Sequence, residues 1–146
     1  RFISRHFEWF VAATLLLPAL LGYLLTGTAA GAATGLLWGG LVRVFLVHHI
    51  TWSVNSVCHF AGSRRFDLDD ESRNVLWLAL PSLGEAWHHN HHAFPRSARH
   101  GLKRWELDPS AAIIVAMEKA GLARNVIRIS PERQAQRARA SSRARG

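Results

Sequence analysis

From Trp9 to Leu25 the chain carries no charged residue, and the run WFVAATLLLPALLGYLL has the ~17–25 residues that cross a hydrocarbon core. The pattern predicts a transmembrane helix over about residues 8–26. A Gly, Ala and Thr linker follows, then a second apolar run through LLWGGLVRVFLVHHITWSVNSVCH, in which Arg43 is the only full charge. This predicts a second span over about residues 33–55. At ~1.5 Å per residue, Gly35 to His59 covers roughly 36 Å against a ~30 Å core, so the helix should leave the bilayer near its end. A secretory signal would be followed by a cleavage site and a soluble domain rather than by another apolar run. Pro18 is tolerated in a membrane helix provided that a neighbour satisfies the carbonyl it frees. After residue 63 the pattern changes. SRRFDLDDESRN is polar, and VLWLALPSL is too short to span, so it reads as a buried or interfacial helix. Asp108 and Pro109 supply an N-cap and first turn for a short amphipathic helix running to Leu122, with Gly121 near its end. The stretch PERQAQRARASSRARG has almost no apolar side chain larger than Ala and is expected to be disordered and dispensable from about Gln134, held near anionic lipid.

The expected architecture is therefore all-α: an integral membrane helical bundle fragment of two transmembrane helices, a cytosolic helical cap over about 56–130 carrying the His motifs, and a disordered basic tail over about 131–146. The mean hydropathy of +0.02 conceals this division, because it averages a nearly chargeless first third with a strongly basic last third. Of 146 residues, 18 are Lys or Arg and 10 are Asp or Glu, a net charge of +8. The basic residues stand at 1, 5, 43 and throughout the segment after 63, with none in the linker, so the positive-inside rule places both ends and the cap in the cytoplasm of a multi-pass membrane protein. A single cysteine, Cys58, excludes an internal disulfide framework and any Cys-rich metal module. Basic residues without aromatic interleaving argue against a nucleic-acid partner. The chain opens on Arg1, directly into an apolar stretch, and is read as a fragment of a longer protein.

The chemistry lies in the histidines. His88, His91 and His92 form an H-x-x-H-H pattern, and in a helix His88 and His92 share one face while His91 points about 100° away from His92. Trp52, Asn55 and His59 form a stripe near the end of the second apolar helix, where an Asn and a His are expensive next to lipid and so face a polar cavity. His6, His48 and His100 read as packing or hydrogen-bonding residues, and His49 is intermediate. Imidazoles without thiolate suit zinc, iron, copper or nickel. His59, His88, His91 and His92 could by number close one zinc site, but adjacent helical residues diverge, which favours two centres. No triad spacing supports nucleophilic hydrolysis.

The strings TWSVNSVCH at 51–59 and GEAWHHNHHAFP at 84–95 resemble the C-terminal half of the membrane acyl-CoA (stearoyl-type) fatty acid desaturases, and RRFDLDDESRN between them fits, with Arg65, Asp67 and Ser72-Arg73-Asn74 in the family's order. The segments RWELDPS and ISPERQ resemble bacterial, actinobacterial-like members. The resemblance implies a four-helix membrane core with a non-haem di-iron centre on its cytosolic side. His59, His88, His91 and His92 would be ligands, Asn55 would act through water, and no catalytic residue would be separate from the ligands. Trp52 falls near the acyl thioester and Thr51 at the bend of the substrate tunnel. Ala86 with Trp87, and His89 with Asn90, depart from the usual residues between the ligands. The family's first two His boxes lie N-terminal to this sequence, so the isolated fragment is expected to be inactive. The implied reaction introduces a cis double bond, delta-9 in position, into a long-chain acyl-CoA, with O2 as co-substrate. Electrons would come from ferredoxin, rubredoxin or a cytochrome b5-type protein with its reductase. A membrane di-iron lipid or alkane hydroxylase and a non-catalytic membrane metal-binding protein are the alternatives. Within the cluster, helix geometry assigns His88, His92 and His59 to one iron and His91 to the other.

Overall fold

The computed structural model describes residues 2–143. Their regular elements are helices: α1 (Phe2–Arg5), α2 (Phe7–Thr26), α3 (Ala29–Thr34), a π-helical segment Gly35–Val42, α4 (Arg43–Phe60), α5 (Leu76–Ala79), α6 (His88–Ala93), α7 (Pro109–Lys119) and α8 (Pro131–Arg143). Among the described residues no strand forms. Two isolated bridges, Ser63 to Asn74 and Asn74 to Trp87, tie loops together. The chain divides into two compact units, residues 1–49 and 50–146.

In the first unit, α2 turns back at Gly27, whose left-handed backbone (φ 67°) closes the helix through its N–H to the Tyr23 carbonyl, and Thr28 caps α3 by accepting from Gly31 N–H. The two helices meet along Pro18, Gly22, Gly31 and Gly35. A Cβ on Gly35 would stand 2.1 Å from the Pro18 carbonyl oxygen, and one on Gly22 would stand 2.2 Å from that of Gly31. Only glycine permits this approach, the usual means of packing helices where no hydrophobic effect drives them together. Pro18 has no N–H, so the Thr14 carbonyl loses its intrahelical donor. Arg43, which follows the π-helical segment, replaces it: Nη2 donates to the Thr14 carbonyl at 2.8 Å and also to Thr14 Oγ1, while Nε donates to Gly39 O at 2.7 Å.

Two apolar helical runs are long enough to cross a membrane, Phe7–Thr26 and the 32-residue Ala29–Phe60. Most of their large apolar side chains are exposed, Trp9 at 75 % and Leu25 at 84 % among them, as lipid-facing residues should be. The second run starts before and ends beyond the expected 33–55. At ~1.5 Å per residue it is roughly 48 Å long, so its last turns project beyond a ~30 Å core.

The second unit is the helical cap. One apolar cluster joins Val54 and Cys58 of α4 to Val75, Leu78, Ala79, Ala86 and Trp87. Another joins Phe66, Ala93 and Phe94, with Leu68, Leu102, Ile129 and Ala138 packed against it. The VLWLALPSL stretch makes only the single turn of α5, because Pro81 cannot continue a helix. It buries Leu78 and Ala79 and leaves Leu76 and Trp77 exposed. Asp108 caps α7 through Ala111 N–H as its sequence predicts, and the helix stops at Lys119, short of Leu122, ahead of left-handed Gly121.

The tail differs from expectation over 131–143, where it forms α8, and residues 144–146 lie outside the described residues. Its low apolar content is compensated by position. Gln134 is buried and donates to the Ile129 carbonyl, Ala138 one turn later lies on the Phe66–Phe94 cluster, and the Arg137 guanidinium stands 5.7 Å over the Phe94 ring. A stripe of small and amide side chains suffices when the partner surface is aromatic.

Candidate metal centre

α6 is six residues long and is placed by its neighbours rather than by its own propensity. Gly84, at φ 103°, allows the entering turn to press against Asp108: a Cβ there would stand 2.4 Å from Asp108 Oδ1. Trp87 is 1 % exposed and donates from Nε1 to the Leu107 carbonyl at 2.7 Å. Asn90, also buried, donates to His100 O and to Glu106 Oε2 (both 2.9 Å), while Asn74 donates to its side-chain oxygen at 3.0 Å. His89 is fully buried, its Nε2 accepting from Phe66 N–H at 2.9 Å, which leaves Nδ1–H to donate to Ser72 Oγ at 3.1 Å. Trp87, His89 and Asn90 thus bolt the helix into the cap, and His88 and His92 are left on another face.

His88 and His92 meet His59, from the last turn of α4. His88 Nε2 is 3.0 Å from His59 Nε2 and 3.1 Å from His92 Nε2. Among the described residues, these three imidazoles form the one group of three or more ligand-type side chains gathered within 4.8 Å. An unprotonated imidazole nitrogen has one lone pair and a protonated one has one N–H, so His88 Nε2 makes one good hydrogen bond and leaves its other neighbour poorly served. A cation removes the conflict, since all three lone pairs then converge on it. Adding protons does not: burial first, then the neighbouring imidazoles, lower the His88 pKa to about 4. The donor set therefore fits a metal ion of the kind that imidazoles bind.

His91 is rotated off this face. Its ring centroid lies 4.6 Å from that of His100 and 5.9 Å from that of His92. Its Nδ1 is buried with no hydrogen-bond partner among the described residues, and burial, then His100 and His92, lower its pKa. Asn55 stands one turn before His59 and donates to the Thr51 carbonyl at 3.1 Å, while Thr51 and Trp52 are exposed on the same helix. His48 and His49 each bond through Nδ1 to a carbonyl one turn back in α4, and His6, between α1 and α2, bonds through Nδ1 to the Phe2 carbonyl.

The structure adds residues that the motif did not reveal. His100, read as an ordinary packing residue, lies against His91 with the two rings tilted by 45°, and its N–H and that of Gly101 both donate to Asp108 Oδ2. Glu106, 3 % exposed, accepts from the N–H groups of Leu102 and Lys103 as well as from Asn90. Asp70 Oδ2 lies 2.9 Å from His92 Nδ1. Burial pushes the Asp70 carboxyl up, but its hydrogen bonds with Ser72 and His92 outweigh this and hold it well below the usual carboxylate range. Asp70 is one of four acids in FDLDDE, and nothing in that string separates it from the rest.

Fold and site together define a helical membrane protein whose cap gathers three imidazoles at the end of a membrane-length helix. No protein-family model matches the chain. It is 44 % identical over 120 residues to a hex-5-enoyl-[acyl-carrier protein] acetylenase of Moorena producens (strain JHB), spanning 82 % of this chain and 37 % of that protein. It is 41 % identical over 119 residues to the sn-1 stearoyl-lipid 9-desaturase of Anabaena variabilis, spanning 82 % and 42 %. To Delta-9 acyl-lipid desaturase 1 of Arabidopsis thaliana it is 48 % identical over 96 residues, spanning 66 % and 32 %. The relatives are thus fatty acid desaturases and an acetylenase, and the chain spans less than half the length of each.

Proposed function

We propose that the chain is the C-terminal, metal-binding part of a membrane fatty acid desaturase that introduces a cis double bond into a long acyl chain. The observation that carries the reading is the convergence of His59, His88 and His92 in a chain similar to desaturases. The stoichiometry is CH2–CH2 + O2 + 2 e⁻ + 2 H⁺ → CH=CH + 2 H2O, with two electrons from the substrate and two from a reduced carrier protein.

Iron held by these imidazoles would supply O2 reduction and hydrogen abstraction from an unactivated methylene, which side chains alone do not perform. His59, His88 and His92 would hold one iron, and His91 would serve a second, with Asn55 reaching the centre through water. The protein's own task is positioning: a near-attack geometry of the acyl chain against the centre selects the carbons that react. Trp52, an N–H donor that does not ligate metal, would orient the acyl head group, with Thr51 at the bend of the chain's path. The sequence resemblance suggests acyl-CoA as substrate, with delta-9 selectivity, whereas the relatives' names specify lipid-linked and carrier-protein-linked chains. The basic cap and the uncharged linker support a cytoplasmic site.

The test is expression of the full-length protein with metal analysis and acyl-chain profiling, supplying acyl-CoA, acyl-carrier protein and acyl lipid in turn. Two irons per chain and new unsaturation on one of the three substrates are expected, and His88→Ala should lose both iron and product. Trp52→Phe should keep iron and lose turnover. Stoichiometric zinc without iron, or a hydroxylated product, would overturn the reading.

A further inference from the structure

We propose that Asp70 is a positioning carboxylate of the metal centre, which holds His92 by its outer nitrogen so that the inner one presents its lone pair to the ion. The inference rests on the metal reading of the three-imidazole group and adds to it a residue outside that group.

A neutral imidazole has one N–H. With Asp70 Oδ2 at 2.9 Å from His92 Nδ1, that hydrogen belongs on Nδ1, and Nε2, 3.1 Å from His88 Nε2, is left with a lone pair. The tautomer required of a ligand is thereby set before any ion arrives. The carboxylate is itself held, because Ser72 N–H donates to Asp70 Oδ1 at 2.7 Å. Ser72 is fully buried, and its hydroxyl accepts from His89, which also receives Phe66 N–H. The loop 66–72 is thus fastened to α6 twice, at His89 and at His92. Of its acids, Asp67, Asp69 and Glu71 are exposed, and Asp70 is turned inward. A carboxylate on the outer nitrogen raises the basicity of the inner one and restricts ring rotation, and removal of such a partner costs ~10–100-fold in metal affinity.

The experiment is Co(II) titration of the metal-stripped full-length protein, read by the visible bands of the bound ion, with the thermal midpoint of the metal-free form recorded alongside. Asp70→Ala should weaken binding by ~10–100-fold and shift the bands. Asp70→Asn should fall between Asp70→Ala and wild type at an unchanged midpoint, because one carboxamide oxygen serves either His92 or Ser72 N–H but not both. Asp69→Ala should bind as wild type. A purely structural role for Asp70 would lower the midpoint and leave the affinity of the folded protein unchanged. Wild-type affinity in Asp70→Asn and Asp70→Ala, with binding lost in His88→Ala, would overturn the inference and leave the centre standing. Should Asp70→Ala fail to fold, the Asn variant decides by the same criterion. Wild-type binding by His88→Ala would remove the metal centre itself.

Discussion

Arg43 stands near the middle of the second membrane-length run, where a full charge costs about 2.5–3.5 kcal/mol on insertion scales. Its retention is explained by Pro18, whose missing N–H leaves the Thr14 carbonyl open, and Arg43 Nη2 closes it at 2.8 Å. Replacing Arg43 by Met exposes that carbonyl, a loss of about 1–3 kcal/mol, and at the same time removes the charge, so the two effects oppose each other. The informative quantity is therefore the coupling. In a Pro18→Ala background the restored residue 18 N–H donates to Thr14 O, and Arg43 has lost its main role there. The penalty of Arg43→Met should then shrink by about 1–3 kcal/mol, which is roughly 5–150-fold in the unfolding equilibrium. Steric trapping of the full-length protein in bilayer discs measures each corner of this cycle. Thr14→Val, which keeps the carbonyl and removes only the hydroxyl acceptor, should cost less than Arg43→Met once the relief of charge is subtracted. Additivity of Arg43→Met and Pro18→Ala to within about 0.5 kcal/mol would refute the pairing.

In the cap, burial followed by the Arg64 charge depresses the His89 pKa below its unfolded value of about 6.5. The unfolded chain then binds the proton more readily, so this contribution to the stability of the metal-free protein should be fully present above about pH 6.5 and be lost progressively as pH falls below that value through the depressed folded-state pKa. His89→Asn should flatten part of that acid limb in thermal melts, the rest belonging to His88 and His91, which shift in the same direction. Gly84→Ala should lower the thermal midpoint by several degrees, because the left-handed backbone and the 2.4 Å approach to Asp108 both oppose a methyl group, and a melt unchanged from wild type would count against the tight turn. Truncation before Gln134 removes Ala138 and Arg137 from the Phe66–Phe94 cluster and should lower the midpoint while leaving metal stoichiometry intact, measured on the same samples.

Two membrane-length apolar helices and the face-sharing of His88 with His92 were legible in the sequence, though the second apolar helix extends past the expected 33–55 at both ends. Partition into lipid depends on the length and composition of one continuous stretch, and an i, i+4 relation is a local property of the helix. The N-cap at Asp108 was legible for the same reason, its donor lying three residues away. The need for a partner to the Thr14 carbonyl also followed locally, from Pro18. Its identity did not, since Arg43 lies 29 residues further along, as does His88 from His59. Tertiary structure alone selected Asp70, 22 residues from His92, out of an acid run in which each member has the same chemistry. It also set His100 against His91, because Asp108 and Glu106 fix residues 100–103 by accepting their backbone N–H groups while Asn90, beside His91, donates to His100 O and to Glu106. It made a helix of a tail whose own composition favours disorder. The order there comes from the aromatic surface that Phe66 and Phe94 present, and those residues are brought to the tail only when the loop after α4 and the end of α6 have packed together.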